Sequence, residues 1–268
     1  MADARTTAAK LTAHLRTTFA GDLRSVVVFG SLPRGEAIAG VSDLNLLVLL
    51  ESMAAPTLVR AAPVLQQWIR QGNTPPYLYS WDEWSGMQDS FALEIADMND
   101  AREVLWGDDP VAVDNVTYSG LRQQTEREIR DTLLHLRLRL MVATSGPSDI
   151  GSLLLSGLPS FTAYMRAVLR LAGQKPGLET RPVIERAAAL IGADPTPMLT
   201  CFDARRTTHH IEVAMTDPLL DQYLGFVRTL LEHVDALPFN YAGPENGNQR
   251  RSGHLFHALP ESPVGVTT

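Results

Sequence analysis

The chain has a single cysteine, Cys201, so it can build neither an internal disulfide nor a cysteine-based zinc site. Lys10 and Lys175 are its only lysines. No apolar run approaches the ~18 to 20 residues that span a bilayer, which argues against membrane insertion. The opening Met1-Ala2-Asp3-Ala4-Arg5 carries an acid and leads into no apolar core of the kind that directs secretion, so we expect a cytoplasmic protein. Clustered positive charge is also lacking. A net charge of −7 and a pI near 5.5 argue against a broad nucleic-acid footprint and suit a small or cationic partner. What remains is a chain of 268 residues, 45% hydrophobic and 20% charged, with the texture of a globular protein long enough for one large domain or two modest ones.

Leu11, Leu15 and Phe19 recur at helical spacing and the pattern stops at Gly21, which predicts an opening helix. Ser25-Val26-Val27-Val28-Phe29 is a β-branched and aromatic run that ends at Gly30, the pattern of a buried strand. After a loop holding Pro33, Gly35 and Gly40, residues 44–50 form a second apolar run entered through Ser42-Asp43. Helical spacing returns over 55–71, with Pro63 placed to kink it. Ser80-Trp81-Asp82-Glu83 has the S-x-x-E form of a capping box and predicts a short helix. The alternation over 91–96 then predicts a third strand.

Beyond Pro110 the spacing is helical, over 121–142, 152–171, 182–191, 198–206 and 219–237. From Phe239 onward Gly, Pro, Asn and Ser dominate and the periodicity vanishes. The expected architecture is therefore α/β, a small mixed sheet with helices over residues 1–112, followed by an all-helical bundle over 113–238 and a tail over 239–268.

The chemistry is concentrated in Val28-Phe29-Gly30-Ser31-Leu32-Pro33-Arg34-Gly35-Glu36 and Val41-Ser42-Asp43-Leu44-Asn45-Leu46. A strand ending in Gly30-Ser31 offers a small side chain and free backbone N–H groups to a loop that can approach a phosphate closely. Asp43 and Asn45, two apart on one strand, point the same way and can face whatever that loop holds. Arg34, in the same loop, is placed either to meet a phosphate or to sit in solvent.

These residues resemble the nucleotidyltransferase superfamily that includes DNA polymerase beta, and within it the bacterial proteins similar to kanamycin nucleotidyltransferase and the minimal nucleotidyltransferases. There a G-S loop is followed by D-x-D on the next strand and by a third carboxylate on a later strand. Gly30-Ser31 matches the loop, Asp43 the first aspartate, and Glu94 is matched to the third carboxylate. The segment from Arg102 to Pro110 looks like the one that closes the catalytic domain in those proteins. The likeness covers residues 25–110 by motif and the helical remainder by general type. It implies Mg2+ held by Asp43, Asn45 and Glu94, ATP as co-substrate, and a nucleotide held by Gly30, Ser31, Arg34 and Asn45. It implies Asp43 and Glu94 as catalytic residues, with Glu94 as metal ligand or as base toward the acceptor. The implied activity is Mg-dependent transfer of a nucleoside monophosphate from ATP or another NTP to a hydroxyl on a small molecule or a protein.

This chain departs from the pattern at Asn45, where the family has its second aspartate. An amide offers a carbonyl oxygen to a metal but not the negative charge. Three readings follow: a one-metal enzyme, an enzyme in which Glu94, Asp97 or Glu36 supplies the missing charge, and a degenerate protein that binds nucleotide or a partner and regulates without turnover. Elsewhere, adjacent residues such as His209-His210 point in different directions on a helix and do not read as a metal pair. Trp81 and Trp84 either pack under the short helix or line a cleft. Arg127, Arg130, Arg137 and Arg139, interleaved with Glu126, Glu128 and Asp131, read as a solvated helix face.

Overall fold

A computed structural model describes residues 2–38, 40–111, 116–142 and 146–239. The chain opens with α1 (Ala2–Phe19), runs through β1 (Leu23–Phe29) and returns as β2 (Asn45–Leu50). Then follow α2 (Ala55–Arg70), β3 (Tyr77–Ser80), α3 (Trp81–Met87), α4 (Ala92–Asp100) and β4 (Arg102–Gly107). Helices α5 (Tyr118–Val142), α6 (Pro147–Leu171), α7 (Thr180–Ile191), α8 (Thr196–Thr207) and α9 (Pro218–Ala236) complete it.

The four strands form one mixed sheet in the order β3-β2-β1-β4, with β1 antiparallel to both neighbours and β2 parallel to β3. Both faces are covered, which explains why β1 and β2 read as continuous apolar runs rather than as an alternation. Val26, Val28, Leu46, Val48 and Leu50 pack with Leu11, Leu15, Phe19 and Trp68 of α1 and α2. Val27, Phe29, Leu47 and Leu49 face the other way and share a core with α4 and with the bundle residues Leu121, Phe161 and Val168. This second core runs unbroken from sheet to bundle, with α6 buried along most of its length at the centre. Among the described residues no helix is long and apolar enough to cross a membrane.

The capping box forms as expected. Ser80 N–H donates to Glu83 Oε2 at 2.8 Å, and Glu83 N–H donates to Ser80 Oγ at 3.2 Å. Trp84 packs rather than lining a cleft: it is buried and its Nε1 donates to the Pro110 carbonyl at 3.0 Å. His209 and His210 lie exposed beyond α8. One expectation fails outright. The strand expected over 91–96 is helical, α4, so the third carboxylate rides on a helix. Its burial runs in pairs, with Ala92 and Leu93, then Ile95 and Ala96, inside, while Glu94, Asp97 and Asp100 recur at i, i+3, i+6 on one face. That is helical spacing, and Ala, Leu, Glu and Met are strong helix formers. The expected domain boundary at 112 and the tail beyond 239 lie outside the described residues.

Candidate active site

Antiparallel pairing of β1 with β2 sets Phe29 opposite Asn45. The end of one central strand and the start of the other are thereby fixed together at one end of the sheet, with Gly30-Ser31 following the first and Asp43 and Asn45 at the entrance of the second. Gly30 has φ +83°, and a Cβ there would lie 2.8 Å from Asn45 Nδ2, so only glycine suits the place. The loop after it is tied back on itself, with Glu36 N–H on the Ser31 carbonyl at 3.0 Å and Ile38 N–H on Ser42 Oγ at 2.9 Å. Asp43 does not share the strand with Asn45 as expected but lies two residues before β2; it is exposed, and its Oδ1 accepts from Thr74 Oγ1 at 2.9 Å.

Beside this end of the sheet lies a cavity of about 410 Å³ that Gly30, Ser31, Arg34, Asp43, Asn45 and Glu94 all line. Its opposite wall is helical. Glu94 comes from α4, Glu128 from α5, Tyr164 from α6, and Arg205 and Arg206 from the last turn of α8. Burial pushes the Glu94 carboxyl above its ordinary value; bonds from Gln124 and from its own backbone N–H oppose that, and the charges of Glu128 and Asp97 add to it. Burial, helped by Glu94, pushes the Tyr77 hydroxyl up to about 12, and Tyr164 is raised chiefly by burial. Both phenols therefore stay protonated donors at neutral pH. Burial pushes the Arg205 guanidinium down, and Asp43 partly offsets that.

Three other sequence candidates have partners of their own. The Arg34 side chain lines the cavity but is only 5% exposed, and its guanidinium pairs with Asp97 at 2.5 Å. Asp97 is not a turn residue. It is the centre of a buried cluster in which Arg34 and Arg170 approach it and Arg170 pairs with Asp100. Burial alone would raise the Asp97 carboxyl, yet Arg34, Arg170 and Arg166 hold it below the usual range. Glu36 accepts from Thr180 N–H at 2.7 Å and from Thr180 Oγ1 at 2.5 Å, capping the start of α7. Asp97 and Glu36 also line the cavity but are held by these partners, and Glu94 is the one of the three named substitutes for the lost charge that is not committed to an ion pair or a helix start.

The sequence reading missed Glu128, Tyr77, Tyr164, Arg205 and Arg206. The expected solvated face does hold for Arg130, which pairs with Glu126 one turn away at 2.8 Å, but Glu128 turns into the cavity. Among the described residues no three His, Cys, Asp or Glu side chains stand close enough to hold a metal ion between them. Asp43, Asn45 and Glu94 nonetheless offer hard oxygen donors of the kind Mg2+ takes when it arrives with phosphates and keeps water ligands. The donor set fits.

A solved structure settles the architecture. The chain resembles the spectinomycin adenyltransferase AAD(9) from Enterococcus faecialis, solved with ATP and spectinomycin, with a TM-score of 0.56 over 87% of this chain and 99% of that one. The two share a fold, a small mixed sheet followed by helices. Sequence identity between the two is 12%, so the likeness is one of fold. No protein-family model matches the chain, and comparison with curated proteins finds no sequence similar to it.

Proposed function

We propose that the protein transfers a nucleoside monophosphate from ATP to a hydroxyl of a small cationic acceptor. The observation that carries this reading is the convergence of Gly30-Ser31, Asp43, Asn45 and Glu94 on one cavity, from the paired ends of two strands and from a helix distant in sequence. The backbone N–H groups after β1 and the guanidinium groups of Arg205 and Arg206 hold the triphosphate. Asp43 and Asn45 hold the magnesium ion that comes with it. When bound, that ion supplies charge neutralisation to the phosphate oxygens. With an amide at Asn45, a single ion suits the site better than two.

Glu94 is the base. Its carboxyl is raised by burial, which suits a group that must accept a proton near neutral pH. The acceptor hydroxyl gives its proton to Glu94 as its oxygen bonds the α-phosphorus, the bond to the bridging oxygen breaks, and pyrophosphate leaves. The Glu94 and Glu128 carboxylates offer a cationic acceptor charge partners, and the Tyr77 and Tyr164 hydroxyls offer it hydrogen bonds. ATP and spectinomycin, the molecules bound in the solved neighbour, are the first donor and acceptor to test. Pyrophosphate release should require Mg2+ and an acceptor, and should vanish in Asp43→Ala. Binding of Mg-ATP without release for any acceptor would instead favour the second reading, a nucleotide-binding regulator whose site lost transfer with the charge at Asn45.

A further inference from the structure

Glu94 is held by a neighbour on α5. Leu93 N–H donates to Gln124 Oε1 at 2.8 Å, and Gln124 Nε2 donates to Glu94 Oε2 at 2.7 Å. The first contact settles which end of the amide is which. A backbone N–H can only donate, so the amide turns its oxygen to Leu93 and its nitrogen to Glu94. Leu93 N–H is one of the first-turn donors that α4 cannot satisfy within itself, so the anchor is part of the backbone and cannot rotate away. Gln124 is 8% exposed, which keeps water from competing for either bond. Glu128, one turn further along α5 on the same cavity, repels the Glu94 carboxylate and would drive an untethered side chain away.

We propose that Gln124 is a positioning residue: it commits Oε2 of Glu94 and reserves Oε1 for the proton of the acceptor hydroxyl. This rests on the reading of Glu94 as the base. A carboxylate displaced by about 1 Å can cost on the order of 100-fold in rate, so the tether has a measurable consequence.

Gln124→Leu removes both contacts, whereas Gln124→Glu keeps an oxygen for Leu93 N–H and sets a second carboxylate oxygen against Glu94 Oε2 in place of the donor. Each should lower kcat roughly 10- to 100-fold while the KM for acceptor and the Kd for Mg-ATP stay within about twofold. In a Glu94→Gln background, Gln124→Leu should cost less than about twofold more, because a residue that acts through Glu94 then has nothing to act on. Equal losses in both backgrounds, or an unchanged kcat in the wild-type background, overturn the proposal. If Gln124→Leu does not fold, Gln124→Glu carries the test, since it preserves the α4 anchor. A readout independent of turnover is the side-chain amide signal of Gln124 in a 15N NMR spectrum, which should move on Glu94→Ala; a signal that stays put overturns the contact. Should the wild type release no pyrophosphate while that signal moves, the transferase reading fails and the positioning role falls with it. Release by the wild type with Gln124 variants equally active sinks the positioning role alone.

Discussion

The two walls of the cavity are built by opposite means. On the sheet side, Gly30, Ser31, Asp43 and Asn45 meet because one antiparallel pairing returns the chain to the same end of the sheet, and Asp43 stays exposed with a threonine hydroxyl on it. On the helix side, Glu94, Glu128, Tyr164 and Arg205 come from four helices, and only packing brings them together. The helical wall also shows what sets a charge. Glu94 and Asp97 sit one turn apart on α4, both largely buried, yet burial raises the first while three arginines hold the second down. Partner rather than place in the helix decides which carboxyl is raised and which is a fixed part of an ion cluster.

The largest expected effect is on the sheet wall. Asp43→Ala should reduce pyrophosphate release by roughly 10³-fold and abolish Mg-ATP binding, with a melting temperature close to wild type because the side chain is exposed. On the helix wall, Glu94→Gln should lower kcat by roughly 10²- to 10³-fold and leave Mg-ATP binding within a few-fold, which steady-state kinetics and calorimetry together would resolve. Loss of ATP binding in both variants would erase the distinction between the walls.

Asp97→Asn should do the reverse of Glu94→Gln, lowering stability by about 3 kcal/mol with a modest change in kcat, because it strands buried arginine charge. The sign with pH follows from a carboxyl held below its unfolded value. Its stabilisation is complete above pH ~4 and is lost as pH falls through the lower folded value, so the gap in melting temperature between wild type and Asp97→Asn should be full at pH 7 and close in acid. The smallest effect expected is at Asn45→Asp, where the restored charge should lower the Mg2+ concentration for half-maximal activity by about tenfold. No change there would mean that Asn45 does not meet the ion.

The sheet wall was legible because its causes are local. A β-branched run, a glycine, and two polar residues at the entrance of the next apolar run are enough to place Gly30, Ser31, Asp43 and Asn45 at one end of the sheet. Glu94 was identifiable as a residue and misplaced as an element, since apolar and acidic residues over 91–96 fit an alternation as well as the paired burial they adopt. Strands β3 and β4 escaped notice as the two sheet edges, half-exposed and without an apolar run. Glu128 and Arg205 were illegible for a different reason. A mixed-charge helix reads as solvated until α4, α6 and the sheet are packed against it, and nothing in the spacing of α5 says which of Glu126 or Glu128 faces inward. Arg34 likewise reads as a loop residue, and only its pairing with Asp97 from α4 shows it to be interior.

The central claim is that Asp43 marks a nucleotide site on the sheet wall. Calorimetric titration of Mg-ATP into wild type and Asp43→Ala, with pyrophosphate followed in the same samples, tests it most directly. The account predicts saturable binding and release in the wild type and neither in Asp43→Ala. Absence of Mg-ATP binding in the wild type, or binding that Asp43→Ala leaves intact, would contradict it.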